Sequence, residues 1–367
     1  RSCSEAAAAS TQPRTCGPLV AEPNPGPAAA SEPTADPRSA ERAVQIIQQA
    51  TGTAPAEVRR LSGGASRTTW MVELGRSGAE PEAGMAVLQV ASRPDPPANS
   101  DAAVQALVIE AARARGVPVP PVLASSPRVV DPPAGVPIES WLLMSHIEGE
   151  TIARRILRDD TFSTARTRFT EQCARALARI HSIDDAGVLE VLEPEDALVR
   201  YREALDDLGH PSPAFELGFR WLEAQRPQAR RQTVVHGDFR LGNVLVGPDG
   251  LNAVLDWELA HISSPAEDLG WLCVRAWRFG GPGVVAGMGD IDSLVAAYRD
   301  ECQTLGVDAD VDAQSVRWWM VVGTLKWGIM CVTQAARYLL DTGGTHEHAA
   351  IGRRVAENEW DLLELIR

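Results

Sequence analysis

The stretch Val234 to Val246, VVHGDFRLGNVLV, sets a histidine, an aspartate and an asparagine in an apolar frame, and the segment NAVLD that follows ends in Asp256. Short apolar runs bounded by turn residues read as strands, so Asp238 and Asn243 fall on a loop between two strands and Asp256 closes the next one. Carboxylate, carboxamide and carboxylate at strand ends make a hard, all-oxygen donor set. It suits Mg²⁺, which takes one or two protein carboxylates and completes its octahedron with water and substrate phosphates. Phosphoryl transfer needs such a cation, a carboxylate to orient and deprotonate the attacking hydroxyl, and positive charge near the transferred group. Asp238, Asn243, Asp256 and Arg240 have the right types for these parts. Asp238 or Asn243 alone would pass for a turn residue; both at this spacing, with Asp256 downstream, read as a site.

Composition narrows the ligand. The 367 residues are 44% hydrophobic and 23% charged, ordinary globular values, and suffice for about two lobes. A net charge of -14 argues against nucleic acid or an anionic membrane surface as the main partner and favours a small molecule. The six cysteines show neither C-x-x-C pairs nor finger spacing, which fits a reducing cytoplasm better than a disulfide or zinc framework. No secretory leader is expected, since the first residues lack a basic start followed by an apolar run. The most apolar late stretch, WWMVVGTLKWGIMCV, contains Lys326, the only lysine, and is too short and broken for a membrane span.

The elements that must position the site follow from periodicity. Residues 1–38, rich in Ala, Pro, Ser and Thr, read as a disordered tail. A helix is expected from Ser39 with Val44 and Ile47 on one face and Gly52 as its stop. AEVRRL, a glycine turn at SGGASR, and the alternation Thr68, Trp70, Val72, Leu74 predict a strand, turn and strand; GMAVLQVA and ESWLLMSHI predict two more. Between them, DAAVQALVIEAARARG predicts a helix with Val104, Leu107, Val108 and Ala111 inward, and VPVPP must be extended. After EGET the pattern turns helical, as in Phe169, Cys173, Ala176, Leu177 and Ile180, and the only later strand signals lie around 234–257.

The ordered phrases LSGGASR, GVPVP, HIEGETIARRIL, HGDFRLGN, VLDWELAH and EDLGWL resemble the aminoglycoside phosphotransferase and choline kinase superfamily, relatives of protein kinases whose catalytic loop reads H-G-D-x-x-x-x-N. The resemblance covers 41–367 and is nearest to actinobacterial phosphotransferases and the kinase-like domain fused to some acyl-CoA dehydrogenases. It implies an α+β, protein-kinase-like bilobal fold: a nucleotide-binding N-lobe, 39–147, with an antiparallel sheet and a helix, and a mostly helical C-lobe, 148–367, holding the catalytic loop 234–246 and the metal-site strand 252–257. It implies Asp238 as catalytic base, Asn243 and Asp256 as Mg²⁺ ligands, and Arg240 facing the γ-phosphate. His236 would brace the loop. Gly63, Gly64, Ala65 and Ser66 would cover the phosphates of ATP with backbone N–H groups, and the hinge at 144–149, with Met144 and His146, would receive the base; GTP stays open as the alternative nucleotide.

The family's strand lysine, which pairs with the phosphates and with a helix glutamate, has no counterpart: Gln89 and Gln105 fall at those positions. Arg93, on the same strand face as Gln89, is the alternative cation. Two readings follow, an active phosphotransferase with weaker nucleotide clamping and a degenerate kinase fold, or pseudokinase, serving as a nucleotide- or partner-binding module. The complete set Asp238, Asn243 and Asp256 favours the enzyme, as a monomer or homodimer. Its acceptor would meet the helical surface around WLCVRAWRF and VRWWMVVGTLKWGIMCV, where an aminoglycoside, a polycation, would want carboxylates; this apolar surface, partly basic through Arg275, Arg278, Arg317 and Lys326, suits an acyl or CoA-like hydroxy compound such as a hydroxyacyl-CoA at least as well, although most of these tryptophans also suit a core. Ser264, Pro265 and Glu267 predict a capping box, with Asp268 bracing the catalytic loop. Glu258 is either a third acidic site residue or a strand-end carboxylate, and His146, His181, His261, His346 and His348 lack ligand spacing.

Overall fold

Period-two alternation builds the first half of the fold. The computed structural model describes residues 37–61, 67–75, 84–93, 101–128, 138–228, 231–340 and 346–367. In it, β1 (Glu57–Leu61), β2 (Thr68–Glu73), β3 (Met85–Arg93), β4 (Val122–Ser125) and β5 (Ile138–Ser145) form one antiparallel sheet in the order β1-β2-β3-β5-β4. Register sets Trp70 against Leu88 and Leu88 against Leu143. With Val72 and Ala86 they form a buried face covered by Ala43, Ile46 and Ile47 of helix α1 (Pro37–Thr51). The opposite face carries Thr69, Gln89 and Leu142 in one row and Met71, Val87 and Met144 in the next, and it lines a cleft.

Helix α2 (Ala102–Ala114) is pinned to β5 at its start, where Ser140 Oγ accepts from Ala102 N at 2.8 Å and Asp101 caps Ala103 N at 2.8 Å. Its buried stripe is Val104, Gln105, Val108, Ile109 and Ala112. The expected stripe is therefore rotated: Leu107 is exposed and Ala111 only half-buried, because the polar Gln105 turns inward to a hydrogen-bond partner. Helix α1 begins at Pro37, two residues inside the expected tail, and it buries Ala43 and Ile46 more fully than Val44; residues 1–36 lie outside the described residues.

Beyond Ser145 helices dominate: α3 (Ala153–Arg158), α4 (Ser163–Ile180), α5 (Ala186–Val191), α6 (Ala197–Leu208) and α7 (Pro213–Ala224) precede the catalytic segment. Two ribbons follow, β6 (Thr233–Val235) with β9 (His261–Ser263), and β7 (Val244–Gly247) with β8 (Gly250–Val254). Helices α8 (Ala266–Leu272), α9 (Ile291–Leu305), α10 (Ala313–Leu339), α11 (His346–Gly352) and α12 (Val355–Ile366) complete the chain. α10 starts with an Asp312–Ser315 capping box and is buried on most sides by α6, α7, α8 and α12, as expected of a helix apolar all round. Among the described residues no helix is long and apolar enough to cross a membrane. β4 and β9 are unforeseen, being four and three residues long and lacking alternation of their own. Residues Ala35–Arg367 form one unit.

Candidate active site

The segment 236–243 joins β6 to β7 and is held from beneath. Asp268, fully buried on α8, accepts from the N–H groups of His236 (2.7 Å) and Gly237 (2.9 Å) and from His181 Nε2 (3.1 Å). Burial alone would raise its carboxyl, but the His181 hydrogen bond and the nearby imidazoles hold it below the ordinary carboxylate value. Lys326 reaches up from α10 to donate to Gly237 O at 2.8 Å, with its ammonium 4.5 Å from the Trp271 ring centre. His236 is structural: its Nε2 donates to Leu255 O at 2.9 Å, its Nδ1 accepts from Asp238 N at 3.2 Å, and burial lowers its pKa. Gly237 has φ +77°, and a Cβ there would lie 2.3 Å from Leu259 O, so the tight entry into the loop requires glycine.

These supports fix Asp238. Its Oδ1 accepts from Trp271 Nε1 at 2.7 Å and from Arg240 Nε at 3.1 Å, while the Asn243 amide donates to Oδ2 and, at 3.1 Å, to the Asp238 carbonyl. With its NH₂ so committed, Asn243 keeps Oδ1 as a free-facing acceptor. Asp238 thus remains partly exposed and aimed, with three donors around one carboxylate. Arg240 also lies over Trp277, with its guanidinium carbon 4.6 Å from the ring centre, and its side chain packs against Gly242, which lines the cleft.

That cleft, about 410 Å³, lies between the sheet and the catalytic ribbon and is lined by Gln89, Met144, His146, Asn243 and Asp256 among others. Five of the residues singled out from sequence therefore meet in one cavity, whereas Gly63, Gly64, Ala65 and Ser66 lie outside the described residues. Asp256, two residues past β8, has φ +64°, a left-handed conformation that an aspartate tolerates and that stops the strand. Its carboxyl is pushed up to about 6 by burial and by the charges of Glu258 and Asp238, with Arg67 and Arg240 opposing. Asn243 Oδ1 and Asp256 are hard oxygen donors on one cavity wall, a fit for Mg²⁺. Among the described residues no cluster of three His, Cys, Asp or Glu side chains is poised to hold a metal, and Mg²⁺ shared with phosphates and water needs none.

Opposite Asp256, Arg67 enters from the start of β2. One of its terminal nitrogens donates to Gln89 Oε1 (3.1 Å) and Gln105 Oε1 (2.9 Å), and the other to Glu258 Oε2 (2.9 Å). The Arg93 side chain falls outside the described atoms.

From Trp271, which holds Asp238, a row of tilted rings runs through Trp277 to Trp327 with centroids 5.2 and 4.9 Å apart. Trp327 borders a second cavity, about 810 Å³, lined also by Arg154, Arg275, Arg278 and Arg354. Arg317 is exposed and lines neither cavity, and Lys326 is buried beneath the loop rather than offered to an acceptor. Glu267 forms no capping box. It is buried against His261 Nε2 at 3.3 Å and Lys326 Nζ at 3.9 Å, a better environment for a carboxylate facing inward than a helix end. Burial works against the His261 cation, yet Glu267 raises its pKa to about 9.

The phosphotransferase enzyme family matches residues 57–303, from β1 through the catalytic loop and Asp256 into α9. The chain belongs to this family. Acyl-CoA dehydrogenase family member 10 of Mus musculus is 32% identical over 104 residues, 26% of this chain and 10% of that protein. Family member 11 of the same organism is 30% identical over 146 residues, 36% of this chain and 18% of that protein. The matched stretches thus span less than a fifth of either relative. A candidate aminoglycoside phosphotransferase from Ralstonia eutropha JMP134 superposes with a TM-score of 0.64 at 20% identity, covering 90% of this chain and 98% of that one. A choline/ethanolamine kinase family protein from Mesorhizobium loti gives 0.57 at 17%, covering 90% and 97%. A thermostable aminoglycoside phosphotransferase mutant in ternary complex with AMP-PNP and hygromycin B gives 0.55 at 13%, covering 89% and 97%. At these identities the likeness is one of fold, the bilobal α+β fold of kinase-like phosphotransferases.

Within a phosphotransferase fold, sequence reasoning missed Arg67 and Trp271 and placed Lys326 on the acceptor surface, where the structure buries it under the loop. Lys326 carried a signal, a lone lysine in the middle of an apolar helix. Trp271 stands in EDLGWL three residues after Asp268, one helical turn on, and so shares its face toward the loop.

Proposed function

We propose that the protein is an ATP- and Mg²⁺-dependent O-phosphotransferase acting on a small hydroxylated molecule. The observation that carries this reading is the Asp238 carboxylate, held by Trp271, Arg240 and Asn243 beside the wall that carries Asn243 Oδ1 and Asp256. Asp238 accepts the proton of the acceptor hydroxyl as its oxygen attacks the γ-phosphorus. The bond to the β,γ-bridging oxygen breaks, and ADP leaves with that electron pair. Asn243 and Asp256 would hold Mg²⁺, which when bound offsets charge on the β- and γ-phosphate oxygens. Arg240 sets positive charge beside the transferred group, and Met144 and His146 flank the base. His146 N already donates to Met85 O at 2.9 Å, so that side of the hinge is fixed before nucleotide arrives.

For the acceptor, the second cavity carries four arginines against two carboxylates, Arg275 pairing with Asp361 and Arg354 with Glu357, and this positive excess favours an anionic compound, with a hydroxyacyl-CoA as the specific candidate. The similarity to acyl-CoA dehydrogenase family members supports it. Nucleotide and acceptor are then the partners of a cytoplasmic protein, in keeping with buried free thiols at Cys173, Cys273, Cys302 and Cys331. Neutral glutamines at 89 and 105 favour the second reading, a nucleotide-binding module without turnover.

The test is Mg·ATP consumption across hydroxylated metabolites and hydroxyacyl-CoAs, beside Asp238→Asn. Turnover that Asp238→Asn abolishes while sparing nucleotide binding supports the enzyme. Nucleotide binding with no turnover on any substrate supports the module.

A further inference from the structure

We propose that Arg67 carries the phosphate-facing positive charge of the nucleotide site, a strand-lysine role moved to the residue that precedes β2. The inference rests on the ATP-dependent reading above and concerns how that site holds its phosphates.

Three observations carry it. First, Arg67 occupies the position that Gln89 and Gln105 jointly define. Gln89 sits mid-strand on the cleft-facing row, Gln105 on the inward face of α2, and both amide oxygens converge on one terminal nitrogen of Arg67 at 3.1 and 2.9 Å. Both glutamines line the 410 Å³ cleft with Asn243 and Asp256. Second, the guanidinium is nearly buried, its side chain 10% exposed, so it is held by its surroundings and not by solvent. Third, it spans the lobes. Its other terminal nitrogen pairs with Glu258 at 2.9 Å, two residues from Asp256.

The chemistry of the partners matters. The carboxamides accept from Arg67 without neutralising it, so that the anion it pairs with is Glu258 on the other lobe. Two of the five guanidinium N–H groups go to the glutamines and one to Glu258, which leaves two without a partner among the described residues. A planar fork of this kind matches phosphate oxygens better than an ammonium does. Arg93 is a poorer candidate on distance alone: four residues beyond Gln89, it stands roughly 13 Å further along β3.

The experiment compares binding of Mg·ATP and of adenosine, by calorimetry, to the full chain and its variants. Adenosine reports the base pocket and the integrity of the fold, and the ratio of the two affinities reports the phosphate contacts. Arg67→Gln is expected to lower the ATP-over-adenosine preference by roughly 10- to 100-fold, the size of a lost charge-assisted contact, with adenosine affinity unchanged. Adding Gln89→Lys to Arg67→Gln should restore most of the preference by returning the charge to the strand. Glu258→Gln, which removes the ion pair and keeps the arginine, should hold or raise it; a mere tie between lobes predicts the same loss in Glu258→Gln as in Arg67→Gln. Wild-type binding of Mg·ATP that Arg67→Gln leaves intact overturns the inference alone. Absence of Mg·ATP binding by the wild type overturns the ATP-dependent reading and this inference with it.

Discussion

Lys326→Met isolates the support beneath the catalytic loop. Methionine keeps the length and apolar stem, so packing changes little, and what disappears is the ammonium. Three contacts go with it: the 2.8 Å hydrogen bond to Gly237 O, the position 4.5 Å above Trp271, and the 3.9 Å approach to Glu267. Leaving the Gly237 carbonyl unsatisfied costs about 1–3 kcal/mol, and the desolvated cation–π contact about 1–2 kcal/mol. Glu267 keeps His261 at 3.3 Å and so is not orphaned. Relief from burying a charge offsets part of the loss, and the net destabilisation is about 2–3 kcal/mol in urea unfolding at pH 7. The same change reaches the chemistry, because Gly237 precedes Asp238 and Trp271 donates to its carboxylate. A loosened carboxylate should lower kcat roughly 10- to 100-fold while the Kd for Mg·ATP stays within about 3-fold. Lys326→Met and Trp271→Phe should combine less than additively, since both act through Asp238. A variant within about 0.5 kcal/mol of wild type and with unchanged kcat would refute the reasoning, because it would mean the loop holds its geometry on Asp268 alone.

Two further outcomes follow from the same supports. The His261–Glu267 pair makes stability pH-dependent. The folded pKa of His261, about 9, lies above its ordinary 6.5, so its contribution is complete below pH 6.5 and disappears as pH rises through 9. About 3 kcal/mol should be lost between those limits. The depressed Glu267 carboxyl gives the opposite limb, lost as pH falls below its ordinary range. Urea midpoints of wild type and His261→Asn at pH 6.5 and 9.5 check the alkaline limb, and equal slopes would sink it. For Gly237→Ala, Gly52→Ala is the yardstick: both have φ near +76°, but a Cβ at Gly52 meets nothing within 4 Å while that at Gly237 meets Leu259 O. Gly237→Ala should therefore destabilise by about 1–3 kcal/mol more than Gly52→Ala in thermal or urea unfolding, and equal losses would show that the loop gives way freely.

The reach of the sequence followed the range of the interactions. Asp238, Asn243 and Asp256 sit within nineteen consecutive residues, so their convergence needs only a loop and a ribbon, both visible as glycine-punctuated apolar runs. The strands β2, β3 and β5 were legible because Trp70, Val72, Ala86, Leu88 and Leu143 alternate. Asp268 could be read as a brace because it follows the loop by the β7–β8 ribbon, β9 and one helix start. Glu267, its neighbour, misled: SSPAE fits a capping box, and only β9 bringing His261 beneath it turns the carboxylate inward. Lys326 misled for a similar reason, since a lysine amid tryptophans suits a ligand surface as well as a buried post, and the choice depends on which face of α10 meets α8.

Arg67, Gln89 and Gln105 were the least legible because they explain one another only in three dimensions. Read singly, Gln89 is a lost lysine, Gln105 a lost glutamate and Arg67 a residue at the end of a glycine turn. β2–β3 register sets Thr69 opposite Gln89, which brings the start of β2 alongside it, and the rotated stripe of α2 turns Gln105 to the same point. Once Arg67 is there, a lysine at 89 would set two cations side by side, a repulsion on the order of 4 kcal/mol at about 4 Å in a partly screened site. A glutamate at 105 would add a second carboxylate to the one that Arg67 already meets in Glu258. Two carboxamides are thus what an arginine in this corner selects, and the pair that reads as decay along the chain is consistent with a cation supplied from a different strand.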